Sequence, residues 1–334
     1  MEKYYITTPI YYVNDKPHIG HAYTTILADT ISRFRALIGE NPTFLTGLDE
    51  HGLKVQQAAE KNGKKPQDHC DSMAPAFIDL WKKLNINYSD FIRTTEHRHT
   101  KIVQQILTKV HESGDIYMDE YEGWYSISEE RFITEKELDS GQFGEVKQIK
   151  EKNYFFKMSK YQTTLINKIE KDELLIQPKS RKNEVLGFLK NELSDLCISR
   201  PKSRLEWGIE LPFDDNYVTY VWFDALINYI SAIGLYKDDK QFSSLWPADV
   251  HLIGKDILTT HSVYWPTMLL SLGLPLPQRI FAHGWWLTDD KKMSKSLGNV
   301  VSPLMLIDDF GVDSVRYYLM SEMVLGMDAT FSSE

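Results

Sequence analysis

The sequence predicts a doubly wound α/β fold, a parallel sheet with helices on both faces, that carries an inserted domain. Strand-like and helix-like stretches alternate over residues 1–115, which is typical of strands joined by crossover helices. The alternation stops near residue 117 and returns near residue 250. We therefore expect one nucleotide-binding fold whose two halves are separated by an insertion.

The first half of this fold begins with the segment KYYITTPIYYV, whose β-branched and aromatic residues favour a strand. A helix should follow and end at Gly39, because apolar residues recur with helical spacing from Tyr23 to Leu37. A second strand is expected in PTFLTGLDEHG, and an amphipathic helix in KIVQQILTKVHESG, up to Gly114.

The rest of the chain divides into three parts. Residues 116–212 are first charged, aromatic and hairpin-like and then helical around 160–195, and they form the expected insertion. The α/β pattern returns in VHLIGKDILTTHSVYWPTMLLSLG and RIFAHGWWL, so residues 213–291 should complete the domain begun by residues 1–115. Residues 292–334 contain most of a lysine-rich loop and the segment after it.

The composition is that of an ordinary globular protein of 334 residues with a net charge of −9. This charge argues against indiscriminate binding of nucleic acid, although a local basic patch is compatible with it. The sequence has no apolar run of membrane-spanning length and no secretory signal, and its two cysteines, Cys70 and Cys197, suggest a reducing compartment. We expect a cytoplasmic protein, or one of an organelle matrix if a presequence has been removed.

Two histidines, His18 and His21, lie in the turn between the first strand and the first helix. Free backbone N–H groups at a helix N-terminus favour an anion, and two imidazoles add hydrogen-bond donors. Pro17 and Gly20 suit a tight turn that a nucleotide can approach closely. The functional interpretation is phosphate binding. The structural alternative, for His21 above all, is packing within the turn.

A lysine-rich loop, TDDKKMSKSLGN, follows the last strand-like segment. Its ammonium groups and hydroxyls, with Lys292 and Lys295 among them, suit a polyphosphate whose charge moves during a reaction. A solvated basic loop is the alternative. The pairing of this loop with the histidine turn, at opposite ends of one α/β pattern, favours the phosphate role.

The motifs HIGH at residues 18–21 and KMSKS at residues 292–296 resemble the two hallmark motifs of class I aminoacyl-tRNA synthetases. The segments TTPIYYVND, FLTGLDEHG, YVWFDALINY, LIGKDI, HSVYWP and FAHGWW resemble the methionyl-tRNA synthetases in order and spacing, over essentially the whole chain. The resemblance implies a Rossmann-type catalytic fold with an inserted connective (knuckle) domain. It also implies activation of L-methionine by ATP with Mg²⁺ and transfer of the methionyl group to tRNA(Met).

This chemistry needs no protein nucleophile, because the carboxylate of the amino acid attacks the α-phosphate of ATP directly. The resemblance gives the catalytic role to His18, His21, Lys292 and Lys295. It places ATP against His18, Gly20, His21, Gly254, Asp256, His283, Gly284, Trp285, Lys292 and Lys295, with Arg200 as a further candidate.

The resemblance assigns methionine binding to Ile10, Tyr12, Asp49, Trp222, Ala225, Tyr229, Ile257, His261 and Trp265. Independently, two sets of these residues, one from Trp222 to Tyr229 and one from Ile257 to Trp265, recur on single helical faces. Such aromatic stripes also fit a plain core, whereas the polar groups within them suit a shaped apolar pocket. Leu226 stands where the family often has proline, which puts the pocket volume in question.

Several of these residues have structural alternatives. Asp49 and Asp256 would each suit the N-cap of the segment that follows, and for Asp256 both roles are compatible. Arg200 would serve equally as a surface arginine that supports tRNA or a salt bridge. Lys54 is expected to be solvated.

No zinc site is expected. Many methionyl-tRNA synthetases carry Cys-x-x-Cys knuckles in the insertion, but this chain has Ser126 and Glu129 at the corresponding positions. Two cysteines in the whole chain cannot supply a thiolate-rich site. The cluster EHRHT, with His97 and His99, is expected to lie on the solvated surface.

Relatives continue beyond the end of this sequence into a helical anticodon-binding domain, so we expect a catalytic portion that forms adenylate but charges tRNA poorly. Within the class, the leucine, isoleucine and valine enzymes carry a longer editing insertion than the roughly 95 residues here, and the cysteine enzyme relies on zinc. A small-molecule nucleotidylyltransferase, which also uses an HxGH turn, and a non-catalytic binding protein are the rivals from other classes.

Overall fold

The centre of the molecule is a seven-stranded sheet, seen in a computed structural model that describes residues 2–126, 131–133, 138–139, 145–288, 291–292 and 300–332. The first part of the chain alternates strands and helices, as predicted. Its elements are β1 (Lys3–Thr7), β2 (Tyr11–Tyr12), α1 (Ile19–Leu37), β3 (Asn41–Asp49), α2 (Leu53–Lys61), α3 (Pro66–Lys83), β4 (Asp90–Arg93) and α4 (His97–Glu112). Helix α1 stops where expected, since Gly39 has a φ of +92°.

The middle of the chain begins with a long antiparallel ribbon and then returns to the central sheet. Its elements are β5 (Ile116–Ser126), β6 (Arg131–Ile133), β7 (Val146–Phe156), α5 (Gln162–Glu170), β8 (Leu175–Gln177), α6 (Lys179–Phe188), β9 (Leu196–Cys197), β10 (Ser199–Pro201) and β11 (Glu210–Leu211). Strand β5 pairs along its whole length with β7, as the hairpin-like texture predicts. The predicted helical stretch is two helices with β8 between them.

The last part supplies two central strands and a small sheet of its own. Its elements are β12 (Asp214–Thr219), α7 (Val221–Ala225), α8 (Asn228–Ser231), α9 (Asp239–Leu245), β13 (Val250–Gly254), α10 (Trp265–Ser271), β14 (Arg279–His283), β15 (Trp286–Thr288), β16 (Lys291–Lys292), α11 (Pro303–Phe310), α12 (Val312–Ser321) and β17 (Ala329–Phe331). Between β13 and α10 the chain forms a 3₁₀ turn, Lys255–Ile257, and a π-helical turn, Thr260–Tyr264.

The central strands lie in the order β4-β3-β1-β13-β14-β8 and all pair in parallel, with β2 continuing β1 along β3. The predicted parallel α/β fold is therefore confirmed. Strand β8, within the 116–212 segment, pairs with β14, so the chain reaches the central sheet before residue 213. The division into domains itself stays a prediction.

Helices cover both faces of this sheet. Neighbouring residues of β1 point to opposite faces and pack in two separate hydrophobic cores. Tyr5 packs in one core with α4 and α10, whereas Tyr4 and Ile6 pack in the other with α1 and α3. None of the helices in the described ranges is both long and apolar enough to cross a membrane.

Candidate active site

A cleft of about 1300 Å³ is bordered by the last residues of four neighbouring strands, Tyr12, Asp49, Gly254 and His283. Open parallel sheets bind ligands at this edge. The predicted site residues that line it are Ile10, Tyr12, His18, Gly20, His21, Asp49, Arg200, Trp222, Ala225, Tyr229, Gly254, Asp256, Ile257, His261, His283, Gly284 and Trp285.

The two motif histidines form the start of α1. Nδ1 of His18 accepts a hydrogen bond from the backbone N–H of Gly20 at 3.0 Å, and the backbone N–H of His18 donates to Nδ1 of His21 at 3.1 Å. A neutral imidazole whose Nδ1 accepts carries its proton on Nε2. The two ring centroids are 3.9 Å apart, so the imidazoles lie next to each other at the start of α1.

Glycine at position 20 makes this turn sterically feasible. A Cβ atom on Gly20 would lie 2.8 Å from Cε1 of His18, closer than real Cβ contacts allow. Both histidines therefore cap the helix and line the cleft, so the packing role and the phosphate-binding role are compatible.

Asp49 ends β3 and is 6% exposed. Its backbone pairs with Tyr12 of β2, and the next residue, Glu50, accepts a hydrogen bond from Nε of Arg93 at 2.7 Å. The N-cap alternative for Asp49 is wrong, because α2 begins at Leu53 and Gly52 occupies its cap position. The carboxylate is thus held on a rigid strand end that borders the cleft.

The apolar wall of the cleft comes from α7 and α8, where Trp222, Ala225 and Tyr229 lie. Nδ1 of His261 donates to the carbonyl oxygen of Ile257 at 2.9 Å, so its Nε2 accepts from the Tyr229 hydroxyl at 2.8 Å. Burial lowers the pKa of His261 to about 4, which keeps the ring neutral near pH 7.

Trp265 does not line the cleft, in contrast to the expectation from helical spacing. It is fully buried, and its ring centroid is 5.8 Å from that of Tyr229, behind the wall. The π-helical turn Thr260–Tyr264 changes the angular register, so positions 257, 261 and 265 do not share one face of a regular α-helix.

The opposite end of the cleft is formed where β13 and β14 stop. Asp256 lies inside the 3₁₀ turn and accepts a hydrogen bond from Nε1 of Trp285 at 3.1 Å. The N-cap prediction for Asp256 is wrong, since Gly254 holds the cap position. Nε2 of His283 is 2.8 Å from Oγ1 of Thr24, which joins β14 to α1.

Arg200 is 3% exposed, so its expected alternative as a surface arginine is wrong. On β10 its guanidinium donates to the carbonyl oxygen of Ser199 at 2.6 Å and lies 4.5 Å from the ring centroid of Tyr220. Its side chain is thus fixed beside the cleft, where a role toward ATP stays a prediction.

The predicted catalytic residues of the lysine-rich loop are Lys292 and Lys295. The backbone of Lys292 pairs with Leu287 of β15, whereas Lys295 lies outside the described residues. In the insertion, Ser126 is buried at the end of β5, and Glu129 also lies outside the described residues. In the described part of the chain, no three His, Cys, Asp or Glu side chains are grouped to hold a metal ion.

Sequence reasoning misplaced His99, which is fully buried, while His97 is exposed as expected. The signal was present, because His99 shares the face of α4 that carries Ile102, Val103 and Ile106 into the core.

Lys54 and His251 were not predicted as parts of this region. Lys54, expected to be solvated, is half-buried and lines the cleft. His251 lies behind the wall, where its Nε2 accepts from Nε1 of Trp265 at 3.1 Å and its ring centroid is 4.3 Å from that of Tyr229. A polar residue in the otherwise apolar strand β13 was the available signal.

Comparison with known proteins agrees with this geometry. The family model described as tRNA synthetases class I (M) matches residues 4–142 and 139–334. Methionine–tRNA ligases of Clostridium tetani and Bacillus subtilis are 52% and 47% identical over 99% of this chain, which spans 52% of each. The chain thus spans about half the length of the curated relatives it matches.

A solved structure, Mycobacterium tuberculosis methionyl-tRNA synthetase in complex with methionyl-adenylate, is 42% identical with a TM-score of 0.95. The match covers 100% of this chain and 67% of that one. The fold, the motif turn and these matches agree, and the chain belongs to the family of class I (M) tRNA synthetases.

Proposed function

We propose that this chain activates L-methionine with ATP and Mg²⁺, forming methionyl-adenylate and pyrophosphate. The observation that carries the proposal is one cleft lined by the imidazoles of His18 and His21, by Asp49 and by an aromatic wall. The complex of the mycobacterial relative with methionyl-adenylate supports the same ligand here.

In the proposed step a carboxylate oxygen of methionine attacks the α-phosphorus of ATP, and the bond to the pyrophosphate oxygen breaks. His18 and His21 donate hydrogen bonds to phosphate oxygens, and Lys292 and Lys295 balance the charge that develops on them. Asp49 pairs with the ammonium group of methionine. Positioning and charge stabilisation supply the rate enhancement, since no protein group forms a bond to the substrate.

The thioether of methionine is proposed to lie among Ile10, Tyr12, Trp222, Ala225, Tyr229, Ile257 and His261. Sulfur contacts with aromatic rings favour such surroundings. The neutral His261 ring adds a fixed polar group without a charge, which suits an uncharged side chain. ATP is proposed to lie along Gly254, Asp256, His283, Gly284 and Trp285, with Arg200 nearby.

The methionyl group is then proposed to pass to the terminal ribose of tRNA(Met). The present chain, at about half the length of its curated relatives, is proposed to form adenylate but to charge tRNA poorly. The activity is proposed to need no zinc and to take place in the cytoplasm or in an organelle matrix.

Pyrophosphate exchange into ATP tests the proposal, with methionine compared against leucine, isoleucine, valine and cysteine. We expect exchange with methionine, loss of it in Lys295→Ala, and weak exchange with close analogues, since one methylene contributes only about 1–3 kcal/mol of discrimination. Preferred exchange with another amino acid would refute the pocket assignment. No exchange in a folded sample that binds ATP would refute catalysis.

A further inference from the structure

A fully buried carboxylate, that of Asp224, lies just outside the proposed amino-acid site. Asp224 is in α7 between Phe223 and Ala225, of which Ala225 lines the cleft. It is 0% exposed and belongs to none of the groups that the proposed reaction uses. An isolated carboxylate at such a position would be costly, so its partners must compensate for the lost hydration.

Two histidines from different parts of the fold provide these partners. Nδ1 of His51 lies 2.6 Å from Oδ2 of Asp224, and Nε2 of His99 lies 2.7 Å from Oδ1. The far side of the His99 ring, Nδ1, is 2.8 Å from Oγ of Ser231 in α8. Each carboxylate oxygen thus has its own imidazole, and the pKa of Asp224 is lowered because the two histidines outweigh burial.

Two of the elements that meet at this carboxylate, the end of β3 and α7, border the proposed amino-acid end of the cleft. His51 follows Asp49 by two residues at the end of β3, and its ring packs 5.3 Å from that of Trp207. Asp224 is flanked by Trp222 and Ala225 of the wall. The separation between the Asp49 carboxylate and the wall is therefore set through the contact of His51 with Asp224.

We propose that Asp224 is a positioning residue for methionine, which holds the wall helix α7 at a fixed distance from Asp49 through His51 and His99. The inference rests on the proposed function. Asp224 itself touches no substrate, so its effect should appear in the binding of the amino acid and not in that of ATP, which lies against other elements.

Asp224→Asn tests this with little change in shape. The amide keeps one acceptor oxygen but presents N–H groups to the other imidazole, so one of the two histidine contacts is weakened. We expect the KM for methionine to rise about tenfold, the loss typical of one hydrogen bond to a charged group, and the KM for ATP to stay within about twofold.

A matched control is Asp115→Asn. Asp115 is a second carboxylate, 2% exposed, that accepts from Nζ of Lys160 at 2.6 Å and from Oγ of Ser271 at 2.8 Å but does not line the cleft. We expect it to lower stability towards urea with no change in the KM for methionine. An equal rise in the KM for methionine in Asp224→Asn and Asp115→Asn would show a general effect of lowered stability and would overturn the proposal.

The pair His99→Leu and His99→Gln decides the question if Asp224→Asn does not fold. Leucine removes the donor to Asp224, whereas the glutamine amide can still donate to it. We expect His99→Leu to raise the KM for methionine. His99→Gln should keep this KM close to the wild-type value. An unchanged KM in folded Asp224→Asn, or in His99→Leu, would refute the positioning role, while exchange by the wild-type chain would leave the proposed function intact.

Discussion

Nζ of Lys255 lies 2.6 Å from Oδ2 of Asp328 and joins two segments that are 73 residues apart in the sequence. The same ammonium group lies 4.1 Å from the ring centroid of Trp285, and Oδ1 of Asp328 accepts from the backbone N–H of Trp285 at 2.9 Å. A Cβ atom on Gly284 would lie 2.0 Å from the carbonyl oxygen of Met327. The proposed nucleotide end of the cleft is thus fixed by residues that follow the lysine-rich loop.

Asp328→Asn is therefore expected to weaken ATP binding. The amide oxygen can still accept from Trp285, but the ion pair with Lys255 is lost, which for a partly exposed pair amounts to about 1 kcal/mol or a roughly fivefold rise in the KM for ATP. The KM for methionine should not change. Pyrophosphate exchange at varied ATP measures the effect.

The matched control for this prediction is Asp172→Asn, which removes a 2.6 Å ion pair with Lys182 at a distance from the cleft lining. Both KM values should stay as in the wild type. If Asp328→Asn raised the KM for methionine as much as the KM for ATP, this end of the cleft would not be the nucleotide end.

Gly20→Ala should impair catalysis without unfolding the chain. The new Cβ would lie 2.8 Å from Cε1 of His18, so the imidazole must move away from its position over the helix start. We expect kcat/KM for exchange to fall at least about tenfold, up to the roughly 10²–10³ that complete loss of one donor at a developing charge costs. Urea unfolding should be unchanged within about 1 kcal/mol, because alanine is favoured over glycine in a helix.

Gly187→Ala provides the comparison for this substitution. Gly187 lies in α6, and a Cβ there meets nothing within 4 Å. We expect higher stability by about 0.5–1 kcal/mol and unaltered exchange. Full activity of Gly20→Ala would show that the position of the His18 ring does not matter.

The parts of this fold that could be predicted are those that local pattern determines. α1 shows a helical period over its 19 residues, β1 is rich in aromatic and β-branched residues, and the HIGH turn is a local sequence. β8 could not be predicted, because three residues carry no period and its place in the sheet depends on pairing with β14, about a hundred residues later. The sheet order arises from such distant contacts.

The same distinction applies to the site. The residues on strand ends and in the motif turn reach the cleft, because the edge of a parallel sheet brings them together. Trp265 was misplaced because the sequence does not reveal a π-helical turn within an otherwise helical pattern. His99 was misplaced because a charged neighbourhood, EHRHT, concealed its place on the buried face of α4.

Tyr229→Phe should weaken methionine binding and lower stability. It removes the hydroxyl that donates to Nε2 of His261 at 2.8 Å and leaves that buried acceptor without its donor. We expect the free energy of unfolding to fall by about 1–2 kcal/mol and the KM for methionine to rise severalfold, with the KM for ATP unchanged.

Tyr154→Phe is a suitable reference, since Tyr154 is 9% exposed and donates to Asp214 at 3.0 Å away from the cleft lining. Tyr154→Phe should lower the free energy of unfolding without changing the KM for methionine. An unaltered KM for methionine in Tyr229→Phe would mean that the bond to His261 does not shape the pocket.

Acid should begin to destabilise the chain near pH 6.5, before most carboxylates titrate. Burial lowers the pKa of His261 from 6.5 to about 4, and it lowers the pKa values of His251 and His283 in the same direction. Between pH 6.5 and 4 the unfolded chain therefore binds protons that the folded chain excludes. The free energy of unfolding must fall as the pH falls through this window, by up to about 3 kcal/mol for His261 alone.

The carboxylate of Asp224 does not offset this loss. The pKa of Asp224 is lowered in the folded chain, so the stability it contributes is complete above the pKa of an unfolded aspartate and is lost only at lower pH. Urea unfolding at pH 7.5, 6.0 and 5.0 should show a decline, which His261→Gln should make shallower and which a change of the exposed His97 to Asn should leave as it is. A stability that stays level down to pH 5 would mean that these imidazoles gain protons in the folded state, and with them a charge that the proposed pocket excludes.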